Sequence, residues 1–378
     1  MTKHGKKVLL LHNTIAPYRL PLFAELSRKW ELEVYFCQAK TKGRLWPTST
    51  DGYSLKPRVL KNMTLGNIIV NPWLPFNLLF NRFDAYIVGE NGFQTLFPIA
   101  ATFLAAKLFN KPFIVWSATI DSEYHQQQYN SLLQVAGFID NIYRKLLYRF
   151  TDSFIAYGIK AKEYLVKRGV ADNKIFTGTQ VIIEQQNEMV SISKKDLGFA
   201  GKKVILFLGY LKVGKGVEIL INAYKRMDRD DAVLVIAGAG KEEGKLKSLA
   251  GERGDICFPG YVTGREKAKY YSVADVFVLP SFHEAWALVI NEAMFYGLPI
   301  ITTEEAGSTG ELVWDNGLIV KAGDEGALEA ALKKLLDNEE LRQEMGQKSQ
   351  EYVKHYDINY AVKCFEDAVN YATKNEEY

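Results

Sequence analysis

The strongest constraint on what this chain can fold into lies between Ala274 and Val320, ADVFVLPSFHEAWALVINEAMFYGLPIITTEEAGSTGELVWDNGLIV. Val276 to Leu279 form a short apolar run closed by Pro280, which predicts a buried parallel strand. Ser281 to Glu284 make a polar turn. Ala287 to Tyr296 then repeat apolar residues at helical spacing until Gly297-Leu298-Pro299 stops them. A second apolar strand, Ile300 to Thr302, follows. This strand–turn–helix–strand unit gathers its polar groups at the turn.

In an open α/β sheet, ligands sit beyond the carboxyl ends of the strands, where helix N-termini offer unpaired N–H groups to anions. Glu284 falls at such a mouth, and Glu292 follows eight positions later, about two helical turns on. Two carboxylates so placed can span a long ligand with its phosphates between them. They can equally be a helix cap and a solvated or salt-bridged surface residue. Spacing alone leaves both readings open.

The same alternation runs through the rest of the chain. Val8 to His12, Leu32 to Cys37, Ala85 to Val88, Phe113 to Trp116 and Ser153 to Ala156 read as strands of a first half. Helices are expected over Tyr18 to Trp30, Gln94 to Phe109, Val135 to Tyr148 and Lys160 to Lys167. Tyr18 and Arg19 lie in the first strand-to-helix turn, and Glu90 and Asn91 follow a later strand end. All four are candidate ligand contacts, although Arg19 also suits a solvated first turn. Residues 38 to 80 read as irregular, aromatic and basic, which would suit a membrane surface or an inserted core element.

A second half opens with Val204 to Leu208 and the turn Gly209-Tyr210-Leu211-Lys212-Val213-Gly214-Lys215-Gly216. A glycine-rich turn ending in lysine and glycine can cradle a diphosphate. Its spacing is not that of a Walker A loop. Gly238-Ala239-Gly240, after the strand Ala232 to Ala237, invites a dinucleotide reading, but no acidic residue closes the next strand to hold an NAD ribose. Residues 184 to 202 are polar and strand-poor, as a hinge would be.

At 378 residues, with 48% hydrophobic and 24% charged residues, the chain suits two ordinary soluble domains. No signal peptide or membrane-spanning run is visible, and the three cysteines lack disulfide or metal-ligand spacing, so a cytoplasmic location is expected. Residues 1–190 carry 23 Lys+Arg against 14 Asp+Glu, a balance of +9. Residues 191–378 carry 24 against 30, a balance of −6. A basic half points to an anionic partner: a lipid head group, a lipid-linked phosphate or nucleic acid. Scatter over a solvated surface gives the same count, since no dense basic run appears.

Glu284 and Glu292, set between ADVFVLPS and EAM-x-x-GLP, resemble the paired glutamates of the retaining glycosyltransferases of family 4 (glycosyl transferases group 1). The resemblance is strong from about Val204 onward and weaker before it. It implies the GT-B fold: two facing Rossmann-like domains with parallel sheets and a cleft between them. The expected division is 1–185 for an acceptor-binding domain, 190–358 for a donor-binding domain, and 359–378 for a helix crossing back to the first. The implied activity moves a sugar from a nucleotide diphospho-sugar to a hydroxyl, in glycolipid, polysaccharide or glycan assembly, with no metal and no cofactor beyond that donor. The expected partners are that donor and a hydroxyl acceptor, lipid-linked in one version, without nucleic acid. Peripheral contact with an anionic membrane, at the inner membrane face, belongs to the same expectation.

By the resemblance, Lys215 and Glu284 carry catalysis, and Tyr18, Arg19, Glu90 and Asn91 contact the acceptor. Gly209, Tyr210, Lys212, Tyr261, Val262, Trp286, Ala287, Leu288, Val289 and Glu292 line the donor site. Several positions depart from the family pattern. Tyr210 stands where an arginine usually pairs with the lysine, leaving Lys212 as the substitute charge. Ser117-Ala118-Thr119 replaces a usual cleft histidine, with His125 the nearest alternative. Ala285 and Ala287 stand where glycines are preferred. These departures keep a second reading open, a non-catalytic GT-B subunit that binds nucleotide-sugar or a partner enzyme. A dehydrogenase or epimerase of similar architecture is the third.

Overall fold

The protein is described from a computed structural model over residues 5–41, 43–55, 57–121, 131–181 and 190–374, with backbone alone over 131–139. His125 lies outside the described residues. Of the described residues, 5–121, 131–179 and 358–374 form one compact unit and 180–357 another.

The first unit contains β1 (Lys7–Thr14), α1 (Leu20–Lys29), β2 (Glu31–Gln38), β3 (Arg58–Val59), β4 (Met63–Leu65), β5 (Ile68–Val70), α2 (Leu74–Phe80), β6 (Ala85–Gly89), α3 (Leu96–Leu108), β7 (Phe113–Ser117), α4 (Ser131–Arg149), β8 (Ser153–Ala156), α5 (Ile159–Lys167) and β9 (Ile175–Thr177). Its main sheet is parallel throughout, in the order β3-β2-β1-β6-β7-β8-β9. The central strands are apolar on both faces because helices cover both: Val8, Leu9, Leu10, Ile87, Val88, Ile114 and Val115 are fully buried. Within 38–80, read above as irregular, the antiparallel pair β4–β5 and the helix α2 form instead. Strands of three residues and a Leu-Pro helix start give too little periodicity to be recognised. The helix Ile358–Lys374 completes this unit. It buries Phe365 against the Trp116 ring, 5.0 Å between centroids, and Ser153 Oγ donates to the Ala368 carbonyl at 2.9 Å.

The second unit contains β10 (Lys203–Leu208), α6 (Val217–Met227), β11 (Ala232–Ala237), α7 (Glu243–Ala250), β12 (Ile256–Gly260), α8 (Gly264–Val273), β13 (Val276–Leu279), α9 (Leu288–Phe295), β14 (Ile300–Thr303), β15 (Gly317–Val320), α10 (Glu325–Asp337) and α11 (Glu339–Val353). Its six parallel strands run β12-β11-β10-β13-β14-β15. The chain winds outward from β10 in one direction, then returns to the other side of it at β13. That reversal opens a crevice beyond the carboxyl ends of β10 and β13, where ligands of such sheets are held.

Candidate functional site

Each loop at that crevice is fixed by backbone contact. After β10, the chain makes a short 3-10 turn (Val213–Lys215) and enters α6 through Gly216, whose φ is +66°. A Cβ at Gly216 would overlap the Pro280 carbonyl oxygen, so only glycine lets the two loops close. Phe282 N–H donates to the Gly214 carbonyl at 2.9 Å across the same seam. The result brings the Lys215 ammonium into an ion pair with the Glu284 carboxylate, both side chains largely buried.

Gly238 has a different job from the dinucleotide role its motif invites. A Cβ there would overlap the Gly209 carbonyl oxygen, and Gly209 N–H donates to Ala237 O at 3.0 Å. The glycine lets the loops after β10 and β11 lie side by side. Tyr210 and Tyr261, at the ends of β10 and β12, then stand with ring centroids 6.5 Å apart and planes 28° from parallel. Lys212 is exposed, and Val262 is partly so.

Glu284 is anchored from the other side, where Gly307 N–H donates to its carbonyl at 2.7 Å. Its side chain does not cap α9, which starts after Ala287 with no side-chain cap. Ala287 itself has φ +74° and ψ +71°, a left-handed conformation that costs a non-glycine residue about 1–2 kcal/mol. That strained alanine aims the first turn of α9, with the N–H groups of Leu288 and Val289, at the crevice; first-turn N–H groups have no intrahelical acceptor. Trp286 is buried at 3% exposure, and its Nε1–H donates to Asn291 Oδ1 at 2.9 Å. It supports the turn from behind and offers no face to a ligand.

Glu292 is neither free nor simply solvated. Lys267 Nζ donates to one carboxylate oxygen at 2.6 Å and Tyr271 O–H to the other at 2.9 Å. Burial, then the Glu292 charge, raises the Tyr271 phenol pKa well above the ordinary range. Lys267 and Tyr271 went unnoticed in the sequence. Both sit on α8, four residues apart, the spacing that puts two side chains on one helix face.

The candidates of the first unit separate into two environments. Glu90 is buried, its carboxylate taken up by Arg144, by Tyr148 O–H at 3.0 and 3.1 Å and by Ser117 Oγ–H at 2.8 Å. Arg144 also donates to Thr119 Oγ1 at 3.0 Å and to Asp140 at 2.6 Å. Ser117 and Thr119 therefore serve this buried network. Asn91 is exposed and turns its amide to Gln94.

Arg19 is not solvated as its turn position allowed. It is 6% exposed, with its guanidinium carbon 4.2 Å from the Trp116 ring centre, 5.2 Å from Tyr157 and 5.4 Å from Tyr18. Its Nη2 donates to Tyr157 O–H, while Nε and Nη1 are buried without a hydrogen-bond partner. Tyr18 is about one-third exposed and meets Trp46 edge-on. His12 lies 5.4 Å from Trp116; burial, then the Arg19 charge, lowers its pKa well below 6.5. Among the described residues, no three His, Cys, Asp or Glu side chains are grouped to hold a metal ion.

Residues 190–352, which carry the whole Lys215–Glu284–Glu292 arrangement, match the glycosyl transferases group 1 family. The phosphatidyl-myo-inositol mannosyltransferase of Mycobacterium leprae is 36% identical to the chain over 165 residues, 41% of this chain and 43% of that protein. The matches to the first three curated relatives span 28%, 58% and 43% of their lengths, short of two thirds in each. Among solved structures, Anabaena HepE in complex with UDP and glucose overlays with a TM-score of 0.75 at 16% identity, covering 97% of this chain and 99% of that one. WaaG, a glycosyltransferase involved in lipopolysaccharide biosynthesis, gives 0.70 at 17%, covering 96% and 99%. The fold is GT-B.

Proposed function

We propose that the chain transfers a hexosyl or N-acetylhexosaminyl group from a nucleotide diphospho-sugar to an acceptor hydroxyl, retaining the anomeric configuration. The observation that carries this reading is the Lys215–Glu284 pair beside the first turn of α9, at the point where the sheet order reverses. As the bond from the anomeric carbon to the diphosphate oxygen breaks, negative charge grows on the leaving group. Lys215 and the N–H groups of Leu288 and Val289 stabilise that charge from fixed positions. Glu284 then exchanges its lysine for sugar hydroxyls, and Glu292 accepts hydrogen bonds from the ribose. The acceptor oxygen bonds to the same face of the anomeric carbon, and its proton passes to the departing phosphate oxygen.

A lipid-linked or glycan acceptor is in keeping with what relatives are named for: one acts on phosphatidyl-myo-inositol, another in lipopolysaccharide biosynthesis. Side chains of the first unit support a further reading, contact with an anionic bilayer. Trp73, just before α2, and Phe76, Leu79 and Phe80 along it are exposed, and Trp73 lines a shallow groove with Arg58 and Lys61. Aromatic side chains beside basic ones suit the interface of such a membrane. No described helix is long and apolar enough to cross one.

Thermal shift against UDP-, GDP-, ADP-, CMP- and dTDP-sugars, followed by an acceptor assay, tests the proposal. One nucleotide family should raise Tm, and Glu292→Ala should weaken that binding about tenfold by removing hydrogen bonds to a charged group. Tyr210 in the arginine position favours one rival, a subunit that binds nucleotide-sugar without turnover. Release of nucleoside diphosphate that depends on acceptor excludes it.

A further inference from the structure

Arg19 presents an unusual balance of burial and bonding. A guanidinium has five N–H donors and is charged at every working pH. Here one nitrogen reaches Tyr157 O–H, and the N–H groups on Nε and Nη1 have no acceptor although they are shielded from water. Among the described residues no carboxylate forms an ion pair with it. Buried charges are almost always paired, because an unpaired one forfeits its hydration without return. The aromatic rings around it supply cation–π attraction but no hydrogen-bond acceptors for those N–H groups.

The placement is as informative as the missing partner. Arg19 lies just beyond β1, Trp116 is on β7 and Tyr157 follows β8, so the box stands at the carboxyl edge of the first sheet, where ligands of such sheets bind. Trp116 is held by its Nε1–H to Thr179 Oγ1 at 3.2 Å and by Phe365. The guanidinium is thus backed by a rigid ring, and its partly exposed neighbours are Tyr18 and Tyr157. His12, kept neutral by burial, neither competes for an anion nor supplies one.

We infer that Arg19 is the receptor for an oxyanion on the acceptor substrate, a phosphate or carboxylate that enters past Tyr18 and Tyr157 and pairs with Nε–H and Nη1–H. The acceptor is then an anionic molecule bearing a hydroxyl, held by its charge in the first unit. This deepens the transferase reading and rests on the first unit being the acceptor half.

The test is thermal unfolding of the full chain with inorganic phosphate and, separately, acetate, for wild type, Arg19→Met, Lys215→Ala and the double variant Lys215→Ala/Arg19→Met. Lys215→Ala removes the donor-phosphate cation, so anion binding there is subtracted. At ten times the dissociation constant, the matching oxyanion should raise Tm by about 2–4 °C in wild type and Lys215→Ala and not in the double variant Lys215→Ala/Arg19→Met. The anion that gives the larger shift names the acceptor group. Without anion, Arg19→Met should melt no lower than wild type, because an apolar side chain of similar shape replaces an unpaired charge. A shift that survives in Lys215→Ala/Arg19→Met, that vanishes in Lys215→Ala, or that is absent from wild type overturns the inference. None of these outcomes touches the donor reading, which stands or falls on nucleotide-sugar binding and turnover.

Discussion

Lys215 and Glu284 neutralise each other across the seam between the loops after β10 and β13. The cation that the proposed chemistry aims at a diphosphate is therefore already placed, held by the carboxylate proposed to receive the sugar. Donor binding exchanges one partner for another and leaves no charge unpaired on either side.

Lys215→Ala should lower kcat/KM for sugar transfer by about 10²–10³, the usual cost of losing one charge-stabilising group at a leaving oxyanion. Nucleoside diphosphate release measures it. An undiminished rate would show that the ion pair is structural only.

Glu90→Ala should destabilise the protein by about 3–5 kcal/mol, because it leaves Arg144 buried without its main counter-charge. Urea unfolding reads the loss. Nucleotide-sugar affinity should be unchanged. A raised acceptor KM at full stability would instead return Glu90 to the acceptor site.

Ala287→Gly should stabilise the fold by about 1 kcal/mol, since glycine takes φ +74° without the Cβ clash and gives back part of the gain as chain entropy. Denaturant midpoints decide it. A loss of stability would mean that the alanine methyl packs against something worth more than the strain.

Acid should weaken the fold through His12. Its folded-state pKa lies below 6.5, so below that pH the unfolded chain binds a proton that the native state refuses. Stability attached to this group is complete above pH 6.5 and falls as pH drops toward the folded-state value, by up to about 1.4 kcal/mol per unit. Melting from pH 7.5 to 5 should show the decline, and His12→Asn should flatten it. Parallel curves for the two proteins would assign acid sensitivity elsewhere.

The two halves, their parallel sheets and the mouth at Glu284 were legible because buried parallel strands leave continuous apolar runs and their helices a period near 3.6. Lys215 and Glu284 were legible as residues of two loops, but their pairing was not, since it depends on Gly216 lying against Pro280, 64 residues away. Glu90 shows the limit most plainly. It follows a strand, as a ligand-binding carboxylate would, and only the packing of α4 against that strand end reveals that Arg144 already holds it. Trp116 read as a strand residue, and nothing local marked it as the plate beneath Arg19. Hairpin β4–β5 and helix α2 were missed because each is too short to carry a period.

The helix Ile358–Lys374 belongs to the first unit, yet it follows the whole of the second. Phe365 closes over Trp116, Ser153 reaches the Ala368 carbonyl and Lys6 Nζ donates to Thr373 Oγ1 at 2.7 Å, a contact spanning 367 residues. During synthesis, the first unit waits with part of its apolar surface uncovered until this helix emerges. At ~5–20 residues per second, the wait is on the order of ten seconds or more. The second unit, whose chain emerges uninterrupted from Val190 to Asp357 among the described residues, can close before the first. The order of completion then reverses the order of translation.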